Sequence, residues 1–388
     1  MLNGGFRPKM KKLFLIALAA SLFVAACELP TESPKLPVAQ DFTVTEDWVC
    51  DASDYYLNGV LTIAEGGSIT FTGSTLHVNG NGAQNGVDVY GSATFEETTV
   101  TSTSEALGED DNYFFTVNEG ATFSFENGEI KHCGADVTDK RSLVIEADGA
   151  TIYNSTFSSN GRNLVVEADE VNASKNTFSQ TGIAGRSSIS LKGLNLVFED
   201  NEIQDDKSYA YLVDITESTG SFSNNVVINL NELGRGLGIG YVNSSTFNGL
   251  TLSAGSDEQA IRIQNSEGNE FGFASIESGK ISIDEHAVDN VLDLTAVGSG
   301  SLNEFDSTSE GTTIMGGKYS EIKVKLGESK KNVLIGVEFD EDAVLYGEEI
   351  LEVSDSQFVG TKGVKISNEC SNAEECTQMV FSGNALSF

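Results

Sequence analysis

Two neighbouring stretches of the sequence decide the fold. Residues Arg141–Phe157 read RSLVIEADGATIYNSTF, and residues Arg162–Phe178 read RNLVVEADEVNASKNTF. They align without a gap at an offset of 21 residues and are identical at eight of 17 positions. Self-similarity at a fixed period of about 20 to 50 residues indicates a solenoid or a related repeat architecture. The sequence therefore predicts a stack of similar coils.

A shorter motif continues the repeat along the chain: an Asn or Ser, any residue, and then a large apolar anchor. We predict that the anchors line the core and that the Asn side chains stabilise turns. Asn tolerates the left-handed backbone conformation, and its amide bonds to local backbone or to the equivalent amide of the next coil. The anchors are Phe157, Phe178, Ile203, Val227, Phe247, Phe271 and Leu292, with Leu76, Val100 and Ile130 before them and Leu334, Phe358 and Leu386 after them.

The residue chemistry within each repeat indicates strands. Apolar residues alternate, as at Leu143, Ile145 and Ala147, which is typical of a strand with one buried face. Gly, Asn, Asp and Ser recur as turn residues, and the chain from Val38 to Phe388 has no proline, which would delete a bond between stacked coils. We predict an all-β parallel solenoid of roughly 13 coils, about 4.8 Å apart.

The repeat resembles the coils of right-handed parallel β-helix proteins, the pectate-lyase-like superfamily. The resemblance rests on the coil length, the Asn-x-apolar turns and strings such as YNSTFSSNG at Tyr153–Gly161, and it extends from about Leu57 to Phe388. It implies a single right-handed parallel β-helix. We therefore expect one domain over residues 45–388, in which the irregular stretch Thr45–Tyr56 caps the first coil.

The N-terminus has the pattern of a secretion signal. Met10–Lys12 is basic, and Leu13–Ala26 is an apolar run of 14 residues, too short to cross a bilayer. This run ends directly before Cys27 and resembles the lipobox of bacterial lipoproteins, with Val24 at the position where Leu is usual. The resemblance implies a signal peptide over residues 1–26, a lipid on Cys27, and a Pro-rich tether over residues 27–44. An ordinary secretory cleavage beside a cysteine is the alternative.

These features predict a protein of the cell envelope that is attached to a membrane through its lipid. By the same resemblance, Glu28 after the lipidated cysteine indicates the outer membrane or the cell surface. The mature chain would carry 19 basic and 58 acidic residues. An acidic surface of this kind repels phosphate, which argues against nucleic acid as a partner.

Four cysteines remain after Cys27, and an even number in an oxidising compartment suggests disulfides. Cys370 and Cys376 are close in sequence and are expected to close a local loop. Cys50 and Cys133 would then pair by elimination. The sequence does not prove this connectivity, and metal ligation is the less favoured alternative because no His lies near enough to complete a thiolate site.

Residues that carry chemistry are sparse. The related polygalacturonase-like hydrolases use grouped Asp residues, a Gly-His-Gly and an Arg-Ile-Lys, of which Asp205–Asp206 and Arg262–Gln264 (RIQ) are faint echoes. We assign them no catalytic role. No cofactor is predicted, although Ca²⁺ is a candidate at the acidic clusters Glu109–Asp111, Asp205–Asp206 and Asp340–Asp342. Solvated turns are the favoured interpretation of these clusters.

One basic pattern stands out in this acidic chain. A cation precedes a strand in five successive coils, and a stack would place all five in a column about 4.8 Å apart. Such a column could bind a polyanion, since the guanidinium fork binds carboxylate or sulfate with two bonds, while Tyr209 and Tyr211 would offer flat faces to sugar rings. Neutralisation by neighbouring carboxylates is the alternative, with Glu146, Asp148, Glu167, Asp169, Asp205 and Asp206 as partners. The candidate ligand-binding residues are Arg141, Arg162, Arg186, Lys207 and Arg235.

Two functions remain open on the sequence alone. The first is non-catalytic binding or adhesion to a polysaccharide or another cell-surface component. The second is a polysaccharide lyase or glycoside hydrolase that acts on an acidic polysaccharide. A lyase needs a base beside several carboxylates, and Lys207 with Asp205 and Asp206 is the one local match. The absence of a complete catalytic motif favours the binding protein.

Overall fold

The structure of the chain is a computed structural model. It describes residues 40–80, 84–103, 112–134, 143–158, 160–179, 187–283, 286–297, 301–305, 310–319, 322–324, 332–339, 344–346, 351–354, 357–359, 365–367, 379–382 and 385–387. Every regular element within these ranges is a β-strand.

The strands follow one another in chain order with short turns between them. In the first eight coils they are β1 (Phe42–Val44), β2 (Asp47–Asp51), β3 (Asp54–Leu57), β4 (Val60–Ile63), β5 (Ser68–Thr72), β6 (Thr75–Val78), β7 (Gly86–Val89), β8 (Ser92–Glu96), β9 (Thr99–Ser102), β10 (Phe114–Val117), β11 (Thr122–Glu126), β12 (Glu129–Lys131), β13 (Leu143–Ile145), β14 (Thr151–Tyr153), β15 (Thr156–Ser158), β16 (Leu164–Glu167), β17 (Asn172–Ser174), β18 (Thr177–Ser179), β19 (Ile189–Lys192), β20 (Leu196–Glu199), β21 (Glu202–Asp205), β22 (Tyr211–Thr216), β23 (Gly220–Ser221) and β24 (Val226–Asn229). In the later coils they are β25 (Arg235–Gly240), β26 (Thr246–Ser253), β27 (Gln259–Gln264), β28 (Glu270–Ser278), β29 (Lys280–Ile283), β30 (Val291–Asp293), β31 (Ser301–Phe305), β32 (Thr313–Met315), β33 (Lys318–Tyr319), β34 (Ile322–Val324), β35 (Asn332–Ile335), β36 (Glu338–Phe339), β37 (Val344–Tyr346), β38 (Leu351–Ser354), β39 (Gln357–Val359), β40 (Lys365–Ser367), β41 (Met379–Ser382) and β42 (Ala385–Ser387).

The strands form a parallel β-helix, as the sequence predicts. Sheet 1 has 15 strands and takes one strand from each coil, in the order β1-β4-β7-β10-β13-β16-β19-β22-β25-β27-β29-β31-β34-β37-β40. Sheet 2 has 23 strands and covers the rest of the coil surface, and four late strands form sheet 3. Neighbouring strands run parallel, for example β16 and β19. The fold class is confirmed. The 15 strands of sheet 1 mark 15 coils in the described part of the chain, against the roughly 13 that were predicted.

Columns of inward side chains fill the core. Phe71, Phe95 and Phe125 occupy the same position in three successive coils and are fully buried. The rings of Phe71 and Phe95 stack with centroids 5.2 Å apart, and those of Phe157 and Phe178 with centroids 4.8 Å apart. The spacing between coils is close to the distance at which aromatic rings stack, which explains why Phe recurs at this position.

The predicted anchors form two columns instead of one. Leu76, Val100, Ile130 and Phe157 pair in register and lead through Phe178 and Ile203 to Val227, as expected. Val227, however, pairs with Leu252 and not with Phe247. Phe247 instead lies in a second column, where it stacks on Phe222 and leads through Phe271 and Leu292 to Leu334. The column changes because the long strand β26 runs straight through the corner that separates β23 from β24 in the preceding coil.

Buried asparagines bond along the solenoid, as predicted. The backbone N–H of Asn176 donates to Oδ1 of Asn201 at 2.9 Å, and Asn201 makes the same bond to Asn225 at 3.1 Å. A second ladder joins Ser245, Asn269 and Asn290 through equivalent bonds of 3.0 and 3.2 Å. Each amide therefore satisfies a buried backbone N–H of the preceding coil.

The ladder asparagines do not themselves adopt the left-handed conformation, which corrects one part of the prediction. The residue before each of them does: φ is +59° at Lys175, +56° at Asp200 and +56° at Asn224. The left-handed residue turns the chain through the corner, and the next residue is then buried at 3 % exposure or less. Each ladder asparagine therefore stabilises the turn through its side-chain hydrogen bonds, and the residue before it makes the bend in the backbone.

The N-terminal stretch forms a coil of the solenoid where a cap was expected. Within Thr45–Tyr56, β2 pairs with β5 over five residues, and β3 pairs with β6 in the same way. Trp48 packs edge-on against Phe42, with ring centroids 5.2 Å apart. The irregular composition of this stretch reflects the end position of the first coil.

The predicted disulfide between Cys50 and Cys133 is wrong. Both side chains are buried thiols, and burial raises the pKa of the Cys133 thiol well above its usual range. Cys50 lies on β2 of the first coil and Cys133 follows β12 of the fourth coil. Three coil spacings amount to about 14 Å, whereas a disulfide needs Cα atoms within about 7 Å. Cys370 and Cys376 lie outside the described residues.

Candidate functional site

The outer face of sheet 1 brings together part of the predicted basic row. Leu164, Ile189, Val213 and Leu237 pair in succession along β16, β19, β22 and β25. Arg162 and Arg235 each lie two residues before a member of this column and therefore share one position in their coils. Arg141 and Arg186 lie outside the described residues.

Lys207 does not belong to the row. The register pairs Arg235 with Tyr211, so Tyr211 occupies this position and Lys207 lies four residues earlier, in the preceding turn. There the backbone N–H of Lys207 donates to Oδ1 of the buried Asp205 at 2.9 Å. Asp205 thus shapes the turn. The predicted lyase trio of Lys207, Asp205 and Asp206 gains no support from this arrangement.

Tyr211 and Arg235 form a network with the loop that leads into β27. The Arg235 guanidinium lies over the Tyr211 ring, with Cζ 5.5 Å from the ring centroid. Its Nε donates to Oε2 of Glu258 at 3.1 Å, and the Tyr211 hydroxyl donates to Oε1 of Gln259 at 2.9 Å. Arg235 therefore has a carboxylate partner, as the neutralisation alternative for the row predicted. The partner is Glu258, which was not among the carboxylates named for this role. The cation and the aromatic ring are held in fixed positions beside each other.

Asp214 lies on the same outer face, in the column of outward residues that also contains Asp88. It points outward from β22 between the inward residues Val213 and Ile215, and it is partly buried. Burial raises the pKa of the Asp214 carboxyl, while the positive charge of Arg162 acts in the opposite direction. The Nε of Arg162 donates to the backbone oxygen of Ser187 at 2.8 Å, so its side chain extends along the solenoid towards the coil of Asp214.

Gly238 makes room for these side chains. In register, Asp214 pairs with Gly238, which pairs with Arg262. A Cβ on Gly238 would come within 2.8 Å of Cγ of Tyr211 and 3.1 Å of Oδ1 of Asp214. Glycine is therefore required here by the close approach of both groups. We call Arg162, Tyr211, Asp214, Arg235 and Arg262 the sheet 1 site.

A ridge of exposed apolar side chains borders the sheet 1 site. Tyr209, Leu230 and Leu233 are 50, 56 and 62 % exposed, and they lie in the turns before β22 and β25. The buried Asn229 ties these turns together, because its Nδ2 donates to the backbone oxygens of Ser208 at 3.2 Å and Arg235 at 2.9 Å. The ridge is thus fixed relative to Arg235.

An acidic cleft of about 500 Å³ lies at the other end of the sheet 1 strands. Burial raises the pKa of Glu146, and the neighbouring carboxylates of Glu167, Glu119 and Asp88 raise it further. In the part of the chain that the structure describes, no group of three or more His, Cys, Asp or Glu side chains is arranged to hold a metal ion. Two of the three clusters proposed for Ca²⁺, Glu109–Asp111 and Asp340–Asp342, lie outside that part. The cleft is lined by Glu119, Glu146, Asp148, Glu167, Ala168, Asp169, Lys192, Gly193, Leu194 and Glu217.

Sequence reasoning missed Asp214, Glu258 and Gln259. The signal that identifies Asp214 is its outward position in the pattern Tyr211–Thr216, where alternation places one polar residue between two core residues. Alignment on the first basic residue of each coil hid this pattern, because the turns before the strands differ in length. Alignment on the inward apolar residues recovers it.

Comparisons with solved structures find distant matches. The periplasmic alginate epimerase AlgG is 13 % identical, with a TM-score of 0.45 over 95 % of this chain and 83 % of that chain. A double mutant of AlgG gives 12 % identity and a TM-score of 0.47 over the same shares. The catalytic unit of a GH87 α-1,3-glucanase from Streptomyces thermodiastaticus strain HF3-3 gives 12 % identity and a TM-score of 0.36 over 89 % of this chain and 64 % of that chain. Neither a family model nor a curated protein matches the chain. The parallel β-solenoid is consistent with the pectate-lyase-like β-helix family that the sequence resembles.

The predicted export features are not part of the described structure. The signal segment, Cys27 and most of the tether lie before residue 40. Over the described ranges, no helix is both long enough and apolar enough to cross a membrane. Lipid attachment at Cys27 therefore stays a prediction.

Proposed function

We propose that the protein binds an anionic polysaccharide through the sheet 1 site, without changing it chemically. The observation that carries this proposal is the placement of Arg162, Arg235 and Arg262 along one outer face, where Arg235 lies over the ring of Tyr211. Three guanidinium groups in a chain with a net charge of −35 form a local exception to the acidic surface. Guanidinium groups bind carboxylate or sulfate with paired bonds, and an aromatic ring offers a flat apolar face to a sugar.

The geometry of a solenoid suits a polymer. Residues at one position of successive coils form a line with a spacing of about 4.8 Å, so charges along the sheet 1 site face a repeating anion. The ridge of Tyr209, Leu230 and Leu233 borders this line and would contact apolar faces of the sugar units. A lipid on Cys27 would display the site in the cell envelope, at the outer membrane or the cell surface, which fits the capture of an extracellular polymer.

A binding assay tests the proposal. We expect the exported domain to bind polygalacturonate and dextran sulfate but not uncharged dextran. Because the whole chain is acidic, affinity should first rise with moderate salt or Ca²⁺, which screen the long-range repulsion, and then fall. The variant Arg162→Ala/Arg235→Ala should bind at least about tenfold more weakly.

The matched control is Lys192→Ala. Lys192 lies in the acidic cleft, where its Nζ pairs with Oε2 of Glu217 at 2.6 Å, so the substitution removes a cation outside the sheet 1 site. An effect of the control as large as that of the Arg variant would show that net charge alone determines binding. No binding to either polyanion would overturn the proposed function.

A polysaccharide lyase or glycoside hydrolase is the second candidate, and one observation favours it. Asp214 is a partly buried carboxyl with a raised pKa beside Tyr211 and near Arg162, a combination that suits proton transfer. A lyase would release an unsaturated product with an ultraviolet absorbance, and a hydrolase would release reducing ends. Turnover that Asp214→Asn abolishes would replace the binding function with an enzymatic one.

A further inference from the structure

We propose that Asn79 is a site of spontaneous covalent modification, at which the folded protein loses ammonia and gains a carboxylate. The chemistry is the deamidation of an Asn that is followed by Gly. The structure leaves the pair Asn79–Gly80 able to react and restrains the other such pairs that it describes. This modification is independent of the proposed polysaccharide binding. The asparagines of the described pairs are Asn58, Asn79, Asn85, Asn127, Asn160 and Asn248.

The reaction needs only the chain and water. The backbone nitrogen of Gly80 loses its proton to a base from solvent and bonds to Cγ of Asn79, after which the Cγ–Nδ2 bond breaks and ammonia leaves. The product is a cyclic imide, the succinimide, and water then opens one of its two C–N bonds. One opening gives Asp, and the other gives isoaspartate, in which the backbone runs through Cγ. Gly favours the attack because it has no Cβ to shield its nitrogen.

The first requirement is an attacking nitrogen that is free to react. Asn79 and Gly80 follow β6 directly, and both are half-buried. The N–H of Gly80 has no hydrogen-bond acceptor among the residues that the structure describes. Nδ2 of Asn85 donates to the backbone oxygen of Asn79 at 2.7 Å and holds this turn in place. The Gly80 nitrogen can therefore lose its proton without the rupture of a bond between coils.

The second requirement is a side-chain carbonyl that can accept negative charge. Oδ1 of Asn79 accepts the hydroxyl of Thr103 at 3.3 Å, and this oxygen becomes the oxyanion when Gly80 attacks. A donor placed at such an oxygen stabilises the charge that develops on it. Nδ2 of Asn79 donates to Oδ1 of Asn58 at 2.7 Å. Because deamidation replaces this donor with a carboxylate oxygen, the modification also breaks a bond between neighbouring coils.

Asn127 is the matched comparison within the same chain. It is exposed and is followed by Gly128, and its Oδ1 accepts Nδ2 of Asn154 at 2.7 Å, so that its carbonyl is polarised as well. The N–H of Gly128, however, donates to Oγ of Ser155 at 3.2 Å. The proton that must leave is therefore held in a hydrogen bond. The need to break one such bond is enough to slow a reaction about tenfold.

Burial or pairing restrains the remaining described pairs. The N–H of Gly86 donates to the backbone oxygen of Gly59 at 3.1 Å, and that of Gly161 donates to the backbone oxygen of Cys133 at 2.8 Å. Gly59 is itself buried, and Gly249 lies inside the long strand β26. At these four glycines the attacking nitrogen is bonded, buried or held in a strand, so we expect slower deamidation than at Asn79.

Peptide mapping of the aged protein tests the assignment. The full mature chain would be kept folded in a mildly alkaline buffer for increasing times, digested, and analysed by chromatography, which separates Asp from isoaspartate peptides, and by mass spectrometry. Fragment spectra distinguish Asn79 from Asn81, which also precedes a glycine. Asn79 should be modified about tenfold faster than Asn127. In denaturant, where no fold distinguishes the pairs, the two sites should react at similar rates.

Two variants test the physical cause. Ser155→Ala frees the N–H of Gly128 and should accelerate deamidation at Asn127 about tenfold, with the rate at Asn79 unchanged. Ser155 is buried, so Thr103→Val is the second test should the first variant fail to fold. Thr103 is exposed, and its replacement removes the donor to Oδ1 of Asn79 and should slow that site alone. Circular dichroism of each variant establishes that the β-helix is intact.

The outcomes separate the role of the fold from that of the sequence. Deamidation of Asn127 as fast as that of Asn79 in the folded protein would overturn the assignment, and so would a tenfold difference that persists in denaturant. A folded Ser155→Ala protein with an unchanged rate at Asn127 would show that the hydrogen bond of Gly128 does not protect this site. None of these results depends on binding to a polysaccharide, so the proposed function and this modification stand or fall separately.

Discussion

Replacement of one ladder asparagine tests how much stability the stacked amides contribute. We choose Asn201→Val, because Val has a similar volume and leaves little cavity, so that the lost hydrogen bonds dominate the effect. The Oδ1 of Asn201 accepts the backbone N–H of Asn176 at 2.9 Å and its Nδ2 group at 3.1 Å. Its Nδ2 donates to the backbone oxygen of Ala173 at 2.9 Å and to Oδ1 of Asn225 at 3.1 Å.

The magnitude follows from these four bonds. A buried hydrogen bond contributes about 1 kcal/mol net, and a buried donor left without a partner costs about 1 to 3 kcal/mol. Asn201 is 1 % exposed, so water does not replace the lost partners of Asn176 or Ala173. We therefore expect the free energy of unfolding to fall by about 4 kcal/mol, a large part of the stability of an ordinary domain.

Denaturant titration followed by circular dichroism and Trp48 fluorescence measures this change. The control is Asn248→Val, since Asn248 is exposed on β26 and should change the unfolding midpoint little. The double variant Asn201→Val/Asn225→Val should lose less than the sum of the two single variants, because the two side chains share bonds. An Asn201→Val protein that unfolds at the wild-type denaturant concentration would refute the ladder as a source of stability. Binding to polyanions should remain, because Asn201 lies outside the sheet 1 site.

Two further predictions concern single side chains. Gly238→Ala should weaken dextran sulfate binding, since its Cβ would displace Tyr211 or Asp214, whereas Gly240→Ala should have little effect because its Cβ meets nothing nearer than 3.4 Å; equal binding by both variants would contradict the requirement for glycine. Glu146→Gln should raise the melting temperature at neutral pH and not in strong acid. The native pKa of Glu146 lies above its unfolded value, so the wild type loses stability as the pH rises through this window and the Gln variant does not. Melting curves of both proteins across pH check this, and a difference that persists unchanged in acid would exclude the ionisation of Glu146 as its cause.

The sequence predicted the fold because the fold repeats locally. Phe157 and Phe178 lie at the same position of two nearly identical stretches, and the structure stacks their rings. The Asn residues two positions before the anchors were also predicted to bond along the stack. Each of these inferences needs only the coil period and the chemistry of one residue, and both are present in the sequence.

The sheet 1 site was harder to predict because it depends on the register between coils of unequal length. Arg235 follows Lys207 by 28 residues, yet its register partner is Tyr211. Residues inserted in the turns change the distance along the chain without changing the position in the coil. The pairing of Cys50 with Cys133 failed for a related reason, since pairing by elimination ignores the three coils that separate them.

At β26 the polar ladder moves from one corner of the solenoid to another. Ser155, Asn176, Asn201 and Asn225 bond in series at the corner within sheet 2, and Ser245, Asn269 and Asn290 bond in series at the corner where the chain enters sheet 2. Coils in a solenoid contact only their neighbours, so a pulling force from the C-terminal end would strip coils one after another. We expect extension under force to pause where the first ladder takes over, which leaves the coils of Arg162 and Asp214 folded after the last coils have been lost.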